Sequence, residues 1–255
     1  MGIIYSIEFF LNQLTGYFST RDPSGLLTPI LVFTILGVTA LSIVTLFKKY
    51  RQTNEQSTLS WALSLLFIEF ALVFLTIENI NYTILGQPDF GRFFSVLAIS
   101  CIIIVVINLD NFALGVTYPT HKNKLVLIVA ILGVISIILI LIANILGSPY
   151  ADVRGFVLVY DPIITYFILA YVVPNFFVGP SIFFYFASKI REENRPKSNL
   201  SLWMGTGLTC FGLGYVLTFI PILAISLSFF LATTIIMYIC FSLPEWFKNR
   251  IGWTS

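Results

Sequence analysis

The stretch LLFIEFALVFLTIEN, residues 65 to 79, is apolar enough for lipid yet carries two carboxylates, Glu69 and Glu78. An acid in a hydrocarbon layer is costly, so it is paired, stays protonated, or serves an ion or proton pathway. Nine residues apart, the two would sit half a turn out of phase and about 13 Å apart along a helix, so they cannot form a carboxylate dyad. Glu69, at mid-span, shares a helical face with Ala62, Val73 and Thr76. Its carboxyl is expected to be neutral and hydrogen-bonded, or to open onto a wet cavity. Glu78 is expected near the outer boundary beside Asn79 and Asn81, partly hydrated, with Arg92 as the available partner.

Other polar side chains fall in apolar runs at helical spacing. Ser100, Asn108, Asn111 and Gly115 form one stripe, with Asp110 off it and His121 just beyond. Thr165, Asn175 and Gly179 form another, interrupted by Pro174 and Pro180. Thr206, Cys210, Gly214 and Thr218 recur at intervals of four, the spacing of a close-packing face. Together they suggest a bundle with a polar centre. Glu69, Thr76, Asn108, Asn111, Thr165 and Asn175 are the candidate ligand-lining residues, with Asn108 or Asn175 the expected partner of Glu69.

These residues need helices to position them, and composition says which kind. Of 255 residues, 58% are hydrophobic and 10% charged, against about 25% charged in a soluble domain. The chain therefore reads as an all-α integral membrane protein. Spans of ~20 apolar residues fit 24–47, 59–80, 92–116, 124–146 and 162–188, followed by a run from 200 to 243. A single helix of that last length would extend about 66 Å. Pro221 divides it into 200–219 and 222–243, which makes seven helices. Asp22-Pro23 and Asp161-Pro162 read as N-cap and first-turn pairs, because aspartate accepts free N–H groups and proline has none to waste.

Charge placement orients the bundle. Lys48, Lys49, Arg51, Lys122, Lys124, Lys189, Arg191, Arg195, Lys197, Lys248 and Arg250 fall on one side, leaving Arg21, Arg92 and Arg154 on the other. By the positive-inside rule the larger group is cytoplasmic, giving an outer N-terminus and an inner C-terminus in the cell membrane. Residues 1–22, with Ile3, Ile7, Phe10, Leu14 and Phe18 at helical spacing, read as an amphipathic segment on the outer surface. The bundle would occupy 23–243. The tail 244–255 mixes Trp246, Phe247 and Trp253 with Lys248 and Arg250, a pattern of the membrane interface.

Several activities are excluded as expectations. A retinal Schiff base needs a lysine, and LAISLSFFLATTIIMYICFS has none. Haem needs an axial ligand pair and a zinc protease needs paired ligands, but His121 is the single histidine and lies in a basic connection. Cys101, Cys210 and Cys240 show no metal-ligand or redox spacing. The pieces YDP at 160–162 and GLGY at 212–215 lack the second aspartate of an intramembrane aspartyl protease, Tyr215 standing in its place. No metal, cofactor, nucleic-acid partner or enzyme chemistry is expected.

The order of parts resembles the seven-helix sensory regions that precede bacterial and archaeal histidine kinases. The resemblance is carried by WALSLLFIEF, a Trp-led second helix with an acid, and by INLDNFALGVTYPTHKNK, a third helix ending in an acid and a basic turn. It implies a sensor without carrying over any functional residue, and the expectation is of no kinase domain after the last helix, so that any signal would pass to a separate partner. The expected function is thus a non-enzymatic heptahelical receptor or sensor. It would bind a small or lipidic ligand in the bundle and signal to a separate partner through Lys189, Arg191, Arg195 and Lys197. A cation or small-solute transporter using Glu69, and an accessory subunit of a larger membrane complex, are the alternatives.

Overall fold

The computed structural model describes residues 27–81, 88–145, 151–154, 157–160, 168–217 and 223–253. The amphipathic N-terminal segment, both Asp-Pro pairs and Pro221 lie outside them. Among the described residues, seven helices are long and apolar enough to cross a membrane. They are α1 (Leu27–Thr53), α2 (Gln56–Ile80), α3 (Pro88–Thr117), α4 (Lys122–Ile145), α5 (Val173–Ile190), α6 (Arg195–Leu217) and α7 (Leu223–Ser242). A short α8 (Glu245–Ile251) follows.

One connection departs from the all-α expectation. β1 (Ala151–Arg154) and β2 (Val157–Tyr160) pair antiparallel, Ala151 opposite Tyr160. The sequence ADVRGFVLVY explains it: branched and aromatic residues flank a glycine, the composition of a hairpin rather than a polar loop.

Helix ends follow local chemistry. α1 turns into α2 through Asn54, whose φ of 53° is a left-handed conformation that asparagine tolerates. Asn194 Oδ1 accepts from Lys197 N at 3.0 Å and so caps the start of α6. α8 ends on Gly252 at φ 80°, with Gly252 N and Trp253 N returning to the Asn249 and Lys248 carbonyls. Pro174 sits in the first turn of α5, preceded by a π-helical turn over Ile168–Val172. The wider turn absorbs the donor that proline lacks, so the span is re-wound there rather than broken.

α2 packs most extensively on α3, and α1, α2, α3, α5, α6 and α7 follow one another round a ring that α7 closes against α1. α4 lies outside that ring on α3, with Leu127, Ile131, Val134 and Ile138 exposed on its outer face. The α6 contacts repeat every seven residues, not every four. Gly205 and Gly212 receive Phe184 and Phe177 of α5, while Gly207 and Gly214 receive Met237 and Phe230 of α7. Thr233 and Ser226, also seven apart, donate to the Gly207 and Gly214 carbonyls at 3.0 and 2.7 Å. A seven-residue period is what nearly parallel helices keep in register. Thr206, expected on the packing face, is exposed and bonds to Leu202 O of its own helix.

The ring's centre is aromatic, which corrects the expected polar core. Trp61 stacks on Phe241 and tilts against Phe112, and Phe112 in turn meets Phe183. Phe176 meets Phe211 and Tyr215 edge-on, farther along the bundle. Six helices round a centre leave more width than aliphatic side chains fill, and rings occupy it at low entropic cost.

Candidate functional site

The α2–α3 seam brings Asn111, singled out above, onto a partner in the neighbouring helix. Asn111 Nδ2 donates to Ser60 Oγ at 2.5 Å, and Ser60 donates on to Gln56 O. Among the five ligand-lining candidates within the described residues, Asn111 is thus the one with a side-chain bond to another helix. Asn108 and Asn175 instead donate to Ile104 O and Tyr171 O, one turn back in their own helices. Thr76 is exposed and bonds to Leu72 O. Neither asparagine pairs with Glu69, and Thr76 does not face the interior: the backbone carbonyl four residues back offers a nearer partner. Thr165 lies outside the described residues.

Glu78 is fully buried, and neither of its oxygens has a hydrogen-bond partner. The expected hydrated acid paired with Arg92 is therefore not formed. The reason is α3, whose first turns cover the end of α2: Phe74 meets Phe94 at 6.1 Å between centroids. The antiparallel register places Glu78 level with residues 90–93, so Ser95 lies within about a turn of it. Ser95 Oγ is buried and unpartnered too. Asn81 Nδ2 donates to Ile77 O at the same end of α2. The Asn79 side chain lies outside the described residues, and Arg92 is half-buried.

A third acid escaped emphasis in the sequence. Asp110 is fully buried, both oxygens unpartnered, near the basic end of α3. It lies within electrostatic range of Tyr171, whose hydroxyl donates to Val129 O of α4 at 2.8 Å. That hydroxyl occupies the space a Cβ would take at Gly133. Adjacency to Asn111, which faces the seam, hid Asp110: the next residue turns about 100° onto the α4–α5 side.

Glu69 is half-buried, with Oε1 enclosed and unpartnered. Thr39 of α1 is 1% exposed, its hydroxyl likewise unpartnered. From the two-residue turn at 54–55, Thr39 and Glu69 each lie about 20 Å along their helices, hence at one depth. Thr39 shares a face with Ser42 and Leu46, and Glu69 with Leu65 and Trp61. Those four residues line one cleft between α1, α2 and α7. Thr39 and Glu69 therefore lie at one depth on the neighbouring helices α1 and α2, farther from the basic end than that cleft.

At the basic end, Lys189, Arg191, Arg195 and Lys197 are all exposed round the α5–α6 turn. Ser198 Oγ bonds back to Ala187 O across that turn, and Asn199 Nδ2 donates to Ile251 O of α8. Phe247 and Ile251 of α8 are buried, with Phe247 edge-on to Trp203 of α6. Among the described residues, no group of three His, Cys, Asp or Glu side chains could hold a metal ion. Comparison with protein-family models, with curated proteins and with solved structures yields no match.

Proposed function

We propose that the chain is a non-enzymatic, multi-pass membrane receptor or sensor, its basic end cytoplasmic, that passes a signal to a separate partner. The supporting observation is how that end is built. The α5–α6 turn is tied across itself by Ser198 and to α8 by Asn199, so four exposed cations stand on a braced platform. A turn needed only to set topology has no requirement for such bracing.

A second reading is favoured by a specific observation. Glu69, Glu78 and Asp110 each bury carboxylate oxygen without a partner, at three depths of neighbouring helices. Intramembrane acids of this kind serve proton or cation pathways. Proteoliposomes loaded with a pH-sensitive dye separate the two. The receptor reading expects no protein-dependent flux under a proton or potassium gradient. It also expects that a ligand raising the melting temperature alters deuterium uptake over 187–199 and 245–251. Gradient-driven flux lost in Glu69→Gln would overturn it in favour of the transporter.

A further inference from the structure

The cleft between α1, α2 and α7 lies at the basic end of the bundle. Its floor is Trp61 and Leu65, both buried, and Lys49 reaches across it. Lys49 Nζ donates to Phe241 O at 3.1 Å and stands 5.7 Å from the centre of the Phe241 ring. This contact caps the last turn of α7, the negative end of its dipole. An ammonium group carries three donors, so two are left over. Among the described residues no carboxylate pairs with Lys49. A half-buried cation with spare donors, set over an apolar floor, complements an anion.

The shape of the surroundings says which anion. Tyr238, which lines the cleft, is 45% exposed, and the outward faces beside it carry Leu41 of α1 and Ile235 of α7. Leu41 precedes the cleft residue Thr45 by one turn, and Ile235 precedes Tyr238 by about one turn. An exposed apolar stripe thus runs from the cation along the bundle, away from the basic end. A free phosphate would meet the charge and leave the stripe bare. A lipid with an anionic phosphate meets both, as basic pockets between membrane helices do. We propose that this cleft seats one anionic phospholipid of the leaflet at the basic end, its phosphate on Lys49 and an acyl chain along Leu41, Ile235 and Tyr238. The inference rests on the cleft alone and holds for receptor and transporter alike.

Native mass spectrometry of the protein in neutral detergent tests it with phosphatidylglycerol and phosphatidylcholine of identical chains. Wild type is expected to hold one phosphatidylglycerol about fivefold tighter than phosphatidylcholine. Lys49→Gln keeps a donor for Phe241 O but loses the charge, and should bring the two lipids level. Lys48→Gln, at an exposed neighbour, should leave the preference intact. Equal retention of both lipids by wild type, or an unchanged preference in Lys49→Gln, overturns the proposal. So does displacement by inorganic phosphate as readily as by phosphatidylglycerol, which would assign the cation to a free anion. A measurement on wild type alone covers a variant that fails to fold. Diazirine-tagged phosphatidylglycerol in vesicles should label peptides spanning 41–49 or 234–242, and labelling confined to other segments overturns the proposal.

Discussion

Asn111 and Ser60 are joined by a side-chain hydrogen bond that crosses from α3 to α2, 51 residues apart in sequence. The bond sits in the most extensive helix contact of the fold, one residue from the Trp61–Phe112 ring pair. It fixes the register that carries Glu78 beneath the first turns of α3.

A double-mutant cycle measures that bond. Asn111→Leu and Ser60→Ala should each lower stability by about 1 kcal/mol, the usual net worth of one such bond in or out of lipid. Together they should cost little more than the worse single change, because both remove the same bond. Thermal melts in detergent report it. Strict additivity would show that the two side chains contribute independently.

Glycine substitutions test the seven-residue packing of α6. At Gly214 a Cβ would lie 3.1 Å from Phe230 and 3.2 Å from the Ser226 carbonyl oxygen. That carbonyl is backbone and cannot step aside, so Gly214→Ala should cost about 1–3 kcal/mol. At Gly37 of α1 a Cβ would meet nothing within 4 Å. Gly37→Ala should therefore stabilise by about 0.5–1 kcal/mol through helix propensity. Two changes of identical chemistry thus carry opposite signs, and equal melting shifts would contradict the close approach of α6 to α7.

Much of this was legible in the chain and some was not, for physical reasons. Span number and the clustering of basic residues follow from the cost of charge in lipid, which composition reports directly. Which face each helix turns inward does not, because nearly every side chain in a span is apolar. Asn108, Asn175 and Thr76 look like ligand residues by spacing, yet each can satisfy itself on its own backbone. Glu78 lies near the end of α2, but its burial depends on where α3 crosses, a fact held between two segments. The α6 repeat was misread at four because Thr206 and Cys210 are small, whereas the glycines that admit Phe and Met side chains recur at seven.

Orientation is tested by accessibility. Gln87→Cys and Ser148→Cys should react with an impermeant thiol reagent added outside cells, and Glu192→Cys only after permeabilisation. Glu192 is exposed, whereas the neighbouring Ser198 is buried against Ala187 O and would report packing instead. Cys101 and Cys240 are buried and should contribute little background. Reversed labelling would place the basic face outside and remove the basis for a cytoplasmic partner.

Thr39 of α1 and Glu69 of α2 supply the sharpest test of what the unpartnered polar groups are for. They lie at one depth on neighbouring helices, and neither the hydroxyl nor the enclosed carboxylate oxygen has a protein partner. A buried polar group left unmade costs about 1–3 kcal/mol. Thr39→Val keeps the shape and removes the hydroxyl, so it should raise stability by about 1 kcal/mol. Glu69→Gln keeps size and hydrogen-bonding capacity, and the fold should survive it, while Glu69→Ala should loosen packing. Melting curves of the three variants beside wild type give the signs directly. A fall in stability for Thr39→Val would mean that a bound water or cation engages the hydroxyl. If the engaged species is a cation, loss of flux in Glu69→Gln liposomes should accompany the fall; if it is a water, flux should be absent in wild type as well.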